Sequence, residues 1–391
     1  MAIIPCSQLK HKRFQDTHEN THFIGPGLSF QEYIEQMRLI ILKSRIDLAP
    51  GQEKTILAAN SPFEWKPADF EQQECKMGVL LIHGLFDSTF ILQDIGKFMV
   101  QQKMLVRSIL LPGHGTVPGD LLNIHYSEWL KAVRYGIESF SGEVDKLIVA
   151  GFSLGSTLAV HQALQGADLD ALILFAPAFK IKSQVGTLAT WLKPLSQLWQ
   201  RAQWLRIRED RDYAKYESVA TNAAYQVHAL SKEVEVWLKT DRLNLPIFIA
   251  ASLEDETVDC YQALEFFNSH QNPLNQFILY SAKEYGAADP RIVSRPSVFP
   301  EKNIIDFSHT CIPIAPDNTH YGVEGDYLGV FFDNQKRRFE YQQNFSKKLQ
   351  MGSFSLANLY QHYIKRLSYN PDYETLLIYL KKFLEEALCN P

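Results

Sequence analysis

Short continuous apolar runs, each closed by small or polar residues, punctuate the chain. Residues 78–82 run into His83-Gly84, residues 146–150 into Gly151, residues 171–175 into Ala176-Pro177, and residues 246–250 into Ala251-Ser252. Runs of this length without polar alternation predict strands buried on both faces, as in a parallel sheet covered by helices. Between them, apolar residues recur at three and four positions over 90–101, 127–140 and 156–165, predicting helices that carry the chain back for the next parallel strand. The alternation predicts one α/β core with a mostly parallel central sheet flanked by helices. No internal repeat is present, which argues against a solenoid or propeller.

Residues 179–240 interrupt the series. They carry Trp191, Trp199, Trp204 and Trp237 amid arginines and a helical pattern, and read as an inserted helical lid over the C-terminal edge of the sheet. The core is then expected at 75–178 and 241–391, with residues 1–74 an extension packing on it. The extension contains an amphipathic helix over about 30–48, stopped by Pro50-Gly51, and a second such helix spans about 372–388. Residues 282–301, rich in proline, serine and charge, read as an excursion loop.

Composition narrows the partners more than the fold. Across 391 residues the chain is 46% hydrophobic and 21% charged, with a formal net charge of −5. It has no basic surplus of the kind that phosphate neutralisation demands, so nucleic acid is not an expected partner. Cys6, Cys75, Cys260, Cys311 and Cys389 are scattered without metal-ligand spacing, suggesting free thiols in a reducing compartment and no metal site. The first sixteen residues lack a signal-peptide core, and no window approaches the roughly 20 apolar residues needed to span a bilayer. A cytoplasmic protein without stable membrane insertion is expected.

The chemistry enters at Gly151-Phe152-Ser153-Leu154-Gly155, a G-x-S-x-G pattern directly between an apolar strand and a helical pattern. A serine on so sharp a turn strains its backbone and draws neighbouring chain close, so the flanking positions need glycine. The turn also sets the Leu154 N–H at the helix N-terminus, where unpaired donors can hold a developing oxyanion. A second donor is expected from His83-Gly84-Leu85-Phe86-Asp87 at the end of another strand, with the Leu85 N–H first and Phe86 second. His83 itself suits a structural hydrogen-bonding role.

These motifs, together with Leu111-Pro112-Gly113-His114-Gly115, resemble the carboxylesterase and monoacylglycerol-lipase branch of the α/β-hydrolase superfamily. The resemblance is closest over about 78–177 and resumes near Pro246; it does not extend to the first seventy residues. It implies an eight-stranded sheet, a lid inserted after the sixth strand, no cofactor, and a structural place for His114. The order expected in this fold is serine, then acid, then histidine. After the run ending at Ala250 comes Ser252-Leu253-Glu254-Asp255-Glu256-Thr257-Val258, which resembles the family's D-x-x-V pattern at Asp255 and Val258. Asp255 is therefore the candidate acid and Glu254 its rival, with a solvated loop charge the plain reading of both Glu254 and Glu256. His309 closes the β-like run 303–308 and is the candidate base, ahead of His320 in a turn-rich loop.

The expected reaction is attack by Ser153 Oγ on a carboxylic ester, proton transfer to His309 held by Asp255, and oxyanion binding by the Leu85 and Leu154 N–H groups. Hydrolysis of the acyl-enzyme then completes the cycle without metal or cofactor. An acyltransferase or thioesterase would use the same residues, and a non-catalytic binding protein is the alternative from another class. The substrate expected is a small-molecule ester with an acyl chain, for which Trp191, Trp199 and Trp204, at roughly helical spacing, would supply an apolar wall or else pack the lid onto the core.

Overall fold

Each apolar run becomes a strand of a mainly parallel, eight-stranded sheet flanked by helices. The computed structural model describes residues 8–48, 51–182, 184–196, 199–209, 211–327, 349–361 and 364–388. Among them, no helix is long and apolar enough to cross a membrane. Cys75, Cys260 and Cys311 are free thiols, and Cys6 and Cys389 lie outside the described residues. The chain forms two compact units, residues 1–173 with 183–243, and residues 174–182 with 244–391.

In the first unit the strands are β1 (Phe63–Trp65), β2 (Met77–Ile82), β3 (Leu105–Ile109) and β4 (Lys146–Phe152), in the order β1-β3-β2-β4. β1 runs antiparallel to β3, whereas β2 pairs in parallel with both β3 and β4. Val79 to Ile82 and Ile148 to Ala150 are wholly buried, which explains their lack of polar alternation. The helices are α1 (Phe30–Ser44), α2 (Glu53–Asn60), α3 (Gln93–Gln101), α4 (Tyr126–Glu138) and α5 (Leu154–Leu164).

α1 starts at a capping box, in which Ser29 and Glu32 satisfy each other's backbone N–H. It ends at Ser44, four residues earlier than the apolar pattern suggests, because Arg45 turns extended and pairs its guanidinium with Asp47 at 2.7 and 2.8 Å. The proline read as its stop lies outside the described residues.

The division between units falls within β5 (Ala171–Phe175). The inserted segment follows this fifth strand, not the sixth. It contains α6 (Gln184–Ser196), a two-stranded ribbon of β6 (Trp204–Arg206) and β7 (Val219–Ala220), and α7 (Thr221–Trp237). Trp199 and Trp204 do not share a helical face. Trp204 is buried in β6 with its ring edge-on to Phe14 at 4.9 Å, whereas Trp199 is 59% exposed. α7 is tied to the first unit by polar contacts: Asn222 Nδ2 donates to the Leu121 and Ile124 carbonyls, and the Tyr126 hydroxyl donates to Glu233 at 2.6 Å.

In the second unit, β8 (Ile247–Ser252), β9 (Gln276–Ser281) and β10 (Ile292–Pro296) pair in parallel, with α8 (Cys260–Ser269) between the first two. β10 corrects the reading of 282–301 as a loop. Its sequence Ile-Val-Ser-Arg-Pro is half exposed, and its proline sits at the last paired position, where an edge strand tolerates a missing donor. Arg295 of β10 grips Asp372, just before the C-terminal helix Tyr373–Leu388, with two hydrogen bonds of 2.9 and 2.8 Å. The run 303–308 is not a strand either: Ile304 makes isolated bridges to Phe299 and Met351, and the segment is otherwise an anchored loop.

Candidate active site

Ser153 stands where β4 becomes α5, with φ 54° and ψ −112°. A positive φ at a residue with a β-carbon is strained and persists only where the surroundings enforce it. Two glycines do so here. A β-carbon at Gly155 would run into the Ile82 and His83 carbonyl oxygens at the end of β2, and one at Gly151 would strike the backbone of Gly155. α5 therefore begins against the end of β2 at a distance no side chain permits. Ser153 is buried, and its carbonyl accepts the N–H groups of Ser156 and Thr157. Leu154 is the first residue of α5, where the N–H has no intrahelical acceptor and the helix dipole is positive.

The loop leaving β2 lies beside this helix start. Phe86 has φ 69°, a second strained residue, and both its polar backbone atoms are committed. Its N–H donates to His114 Nε2 at 3.1 Å, and its carbonyl accepts the Tyr216 N–H at 2.7 Å. Among the described residues, no hydrogen-bond partner takes the Leu85 N–H. His83 is buried: its Nε2 accepts the Leu111 N–H at 3.0 Å, and its Nδ1–H donates to the Gly84 carbonyl at 2.8 Å. Burial, with His114 beside it, drives the His83 pKa well below the usual imidazole value, which suits a neutral bracing ring. Burial likewise pushes His114 down to about 4.

Asp255 and His309 meet in the second unit. Asp255 follows β8, and the chain from 180 to 182 zips onto its loop: Lys182 N–H donates to the Thr257 carbonyl, and Asp259 N–H to the Lys180 carbonyl. Asp255 is 1% exposed, and its Oδ1 accepts the Thr257 and Val258 N–H groups at 2.7 and 2.9 Å. Its Oδ2 faces His309 Nδ1 at 2.6 Å. With Nδ1–H donating to the carboxylate, Nε2 is the ring nitrogen that carries the lone pair.

The rival residues are occupied elsewhere. Glu254 accepts the Ala282 N–H and the Ser252 and Ser297 hydroxyls, and makes no contact with an imidazole among the described residues. His320 pairs its Nδ1 with Asp326 and packs between Tyr321 and Tyr327.

One contributor is misread from sequence. Glu256 is not a solvated charge, for its Oε2 accepts the His309 N–H at 3.0 Å while its Oε1 takes the Arg366 guanidinium at 2.6 Å. Arg366 is 110 residues away in the chain, and no local pattern could have announced it. The tie between Phe86 and His114 was equally silent, although both residues sit in conspicuous glycine motifs.

A thermostable monoacylglycerol lipase of Bacillus sp. (strain H-257) is 23% identical over 189 residues, 48% of this chain and 74% of that protein. Among solved structures, one reported for the metagenome-derived lipolytic enzymes LipS and LipT is 19% identical with a TM-score of 0.47, over 56% of this chain and 86% of that one. A soluble variant of monoglyceride lipase from Saccharomyces cerevisiae is 13% identical with a TM-score of 0.45, over 56% and 82%. A family model described as serine aminopeptidase, S33, matches residues 73–283, more than half of the sequence and from β2 to just past β9. The chain belongs to that family of α/β hydrolases.

Proposed function

We propose that this hydrolase cleaves carboxylic esters through an acyl-enzyme formed on Ser153. The strained Ser153 backbone between β4 and α5 carries the reading, since a serine held at positive φ between Gly151 and Gly155 at a strand-to-helix turn is the arrangement that presents a nucleophilic hydroxyl. His309 Nε2 takes the hydroxyl proton as Oγ attacks the ester carbonyl. Asp255 fixes the imidazole tautomer and stabilises the imidazolium. The oxyanion is held by the Leu85 and Leu154 N–H groups, each contributing about 3 to 4 kcal/mol to the transition state. His309 then returns the proton to the leaving alcohol, and water repeats the sequence on the acyl-enzyme.

Two observations support an acyl chain as the substrate's apolar part. Phe86, Leu192 and Tyr225 are partly buried against a cluster of Ala189, Leu205, Val219 and Ala224, so the residue next to Leu85 packs on apolar side chains. The relative from Bacillus sp. is named a monoacylglycerol lipase. The test is a panel of p-nitrophenyl esters and monoacylglycerols of graded acyl length, run alongside labelling by a fluorophosphonate. Turnover with labelling confined to Ser153 is expected. A folded protein that neither turns over any ester nor takes the label overturns the proposal.

A further inference from the structure

The bracing of the loop that bears Leu85 and Phe86 leads back to the N-terminal segment, well upstream of the first strand. Asn20 is 2% exposed and grips the Pro112-Gly113-His114-Gly115 turn from two sides. Its carbonyl accepts the Gly113 N–H at 2.6 Å, and its side-chain Nδ2 donates to the His114 carbonyl at 2.7 Å. Gly113 and Gly115 have φ 86° and 76°, so the turn has little stiffness of its own and takes its shape from what holds it. Three residues earlier, the Thr17 N–H and hydroxyl donate to the buried Asp120 carboxylate, which also accepts the Thr116 hydroxyl. Gln15 presses its carbonyl into the space a β-carbon at Gly119 would occupy. Residues 15–20 thus hold the turn and the short helix that follows it.

From the turn the chain of contacts continues to the loop. His114 Nε2 accepts the Phe86 N–H, which only the neutral ring can do, while its Nδ1–H is directed at the Leu111 and Pro112 carbonyls at 3.2 and 3.1 Å. We propose that Asn20 is a positioning residue for oxyanion stabilisation: it fixes the Gly113-His114 turn, His114 fixes the Phe86 N–H, and the strained Phe86 in turn aims the adjacent Leu85 N–H. The inference rests on the ester-hydrolase reading given above. Its physical content is that an oxyanion donor acts only when it is held on the position the charge will occupy, so a loop free to relax from φ 69° loses transition-state binding while substrate binding is preserved.

The test compares Asn20→Ala with wild type on a p-nitrophenyl ester, with kcat expressed per site titrated by the fluorophosphonate so that unfolded protein does not count. Gln15→Ala is the control, because it keeps the backbone carbonyl that meets Gly119 and removes a side chain whose hydrogen bond, among the described residues, goes to the Leu9 carbonyl. The expected result is a fall in kcat of about tenfold or more with KM within about twofold, and a control at the wild-type rate. Asn20→Ala should add little to the loss in His114→Gln, since both act through one chain of contacts. An unchanged kcat per titrated site, a loss carried by KM, or additive losses with His114→Gln would each overturn the inference. Should Asn20→Ala yield no folded protein, Asn20→Asp keeps the size, removes the Nδ2 donor and answers to the same outcomes. Wild-type protein without turnover or labelling refutes the ester-hydrolase reading itself; an active wild type with an indifferent Asn20→Ala refutes only the role of Asn20.

Discussion

At Ser153 the backbone imposes the geometry, through a positive φ, two glycines that nothing larger can replace, and a neighbouring loop with a second strained residue at Phe86. At Asp255 and His309 neither backbone is left-handed, and hydrogen bonds impose the geometry instead. One Asp255 oxygen takes two backbone N–H groups and the other takes the imidazole, while Glu256 and Arg366 hold the His309 backbone. The two units thus use different means, steric necessity in the first and polar satisfaction in the second. Steric necessity tolerates almost no substitution, whereas polar satisfaction can be met by several residue types from several places in the chain.

The sharpest break of that comparison comes at the nucleophile. Ser153→Ala should lower ester turnover by about a millionfold and abolish fluorophosphonate labelling, with an unchanged circular dichroism spectrum. Wild-type turnover in the folded variant would end the assignment. Next come Asp255 and His309 in the second unit. Asp255→Asn should cost about 10⁴-fold in kcat by leaving the wrong imidazole tautomer, and His309→Ala should be comparably damaged. His320→Ala should keep most of the activity, since that ring already has Asp326. An inactive His320→Ala beside an active His309→Ala would reverse the assignment of the base.

The same contrast explains what could be read from sequence. Gly151, Ser153 and Gly155 were legible because a steric requirement leaves a fixed spacing, and the buried parallel strands were legible because burial on both faces removes polar residues. The candidate acid and base could be narrowed only to short lists, Asp255 against Glu254 and His309 against His320, because a hydrogen bond leaves no spacing rule. β10 escaped because an edge strand carries arginine and proline. The true part of Glu256 escaped because its partner Arg366 is distant in sequence. The Trp spacing misled for the opposite reason: residues 204–206 form a strand, so a helical period does not apply there.

The first unit also depends on two imidazoles remaining neutral, which makes its stability respond to acid. Burial lowers the folded-state pKa of His114 to about 4 and holds that of His83 well below its usual value, against about 6.5 in an unfolded chain. Between those values the unfolded chain binds protons that the folded chain refuses, so stability rises with pH through this window. The contribution is complete above about pH 6.5 and is lost as pH falls toward 4. For His114 the full span is on the order of 3 kcal/mol. The midpoint of urea unfolding should therefore fall between pH 7 and 5, and His114→Gln should flatten that fall relative to wild type. Parallel pH profiles for the two proteins would show that His114 is not held neutral by the fold.

The smallest effect expected is at Glu254, one residue from the acid, and it sharpens the comparison because the two carboxylates differ only in what they touch. Glu254 Oε1 accepts the Ala282 N–H at 2.8 Å, and Oε2 accepts the Ser252 and Ser297 hydroxyls at 3.1 and 2.9 Å. A glutamine keeps an oxygen for the Ala282 N–H. It also places an amide where the two hydroxyls can rotate to accept instead of donate, which keeps one hydrogen bond at each contact. Glu254→Gln should then change kcat by less than about twofold and leave the unfolding midpoint close to wild type. Asp255 has no such latitude, since its carboxylate must receive the imidazole Nδ1–H and two backbone N–H groups at once. Steady-state kinetics of Glu254→Gln and Asp255→Asn measured side by side decide the point: a severe loss at Glu254 with an active Asp255→Asn would place the acid one residue upstream and make the 2.6 Å contact with His309 incidental.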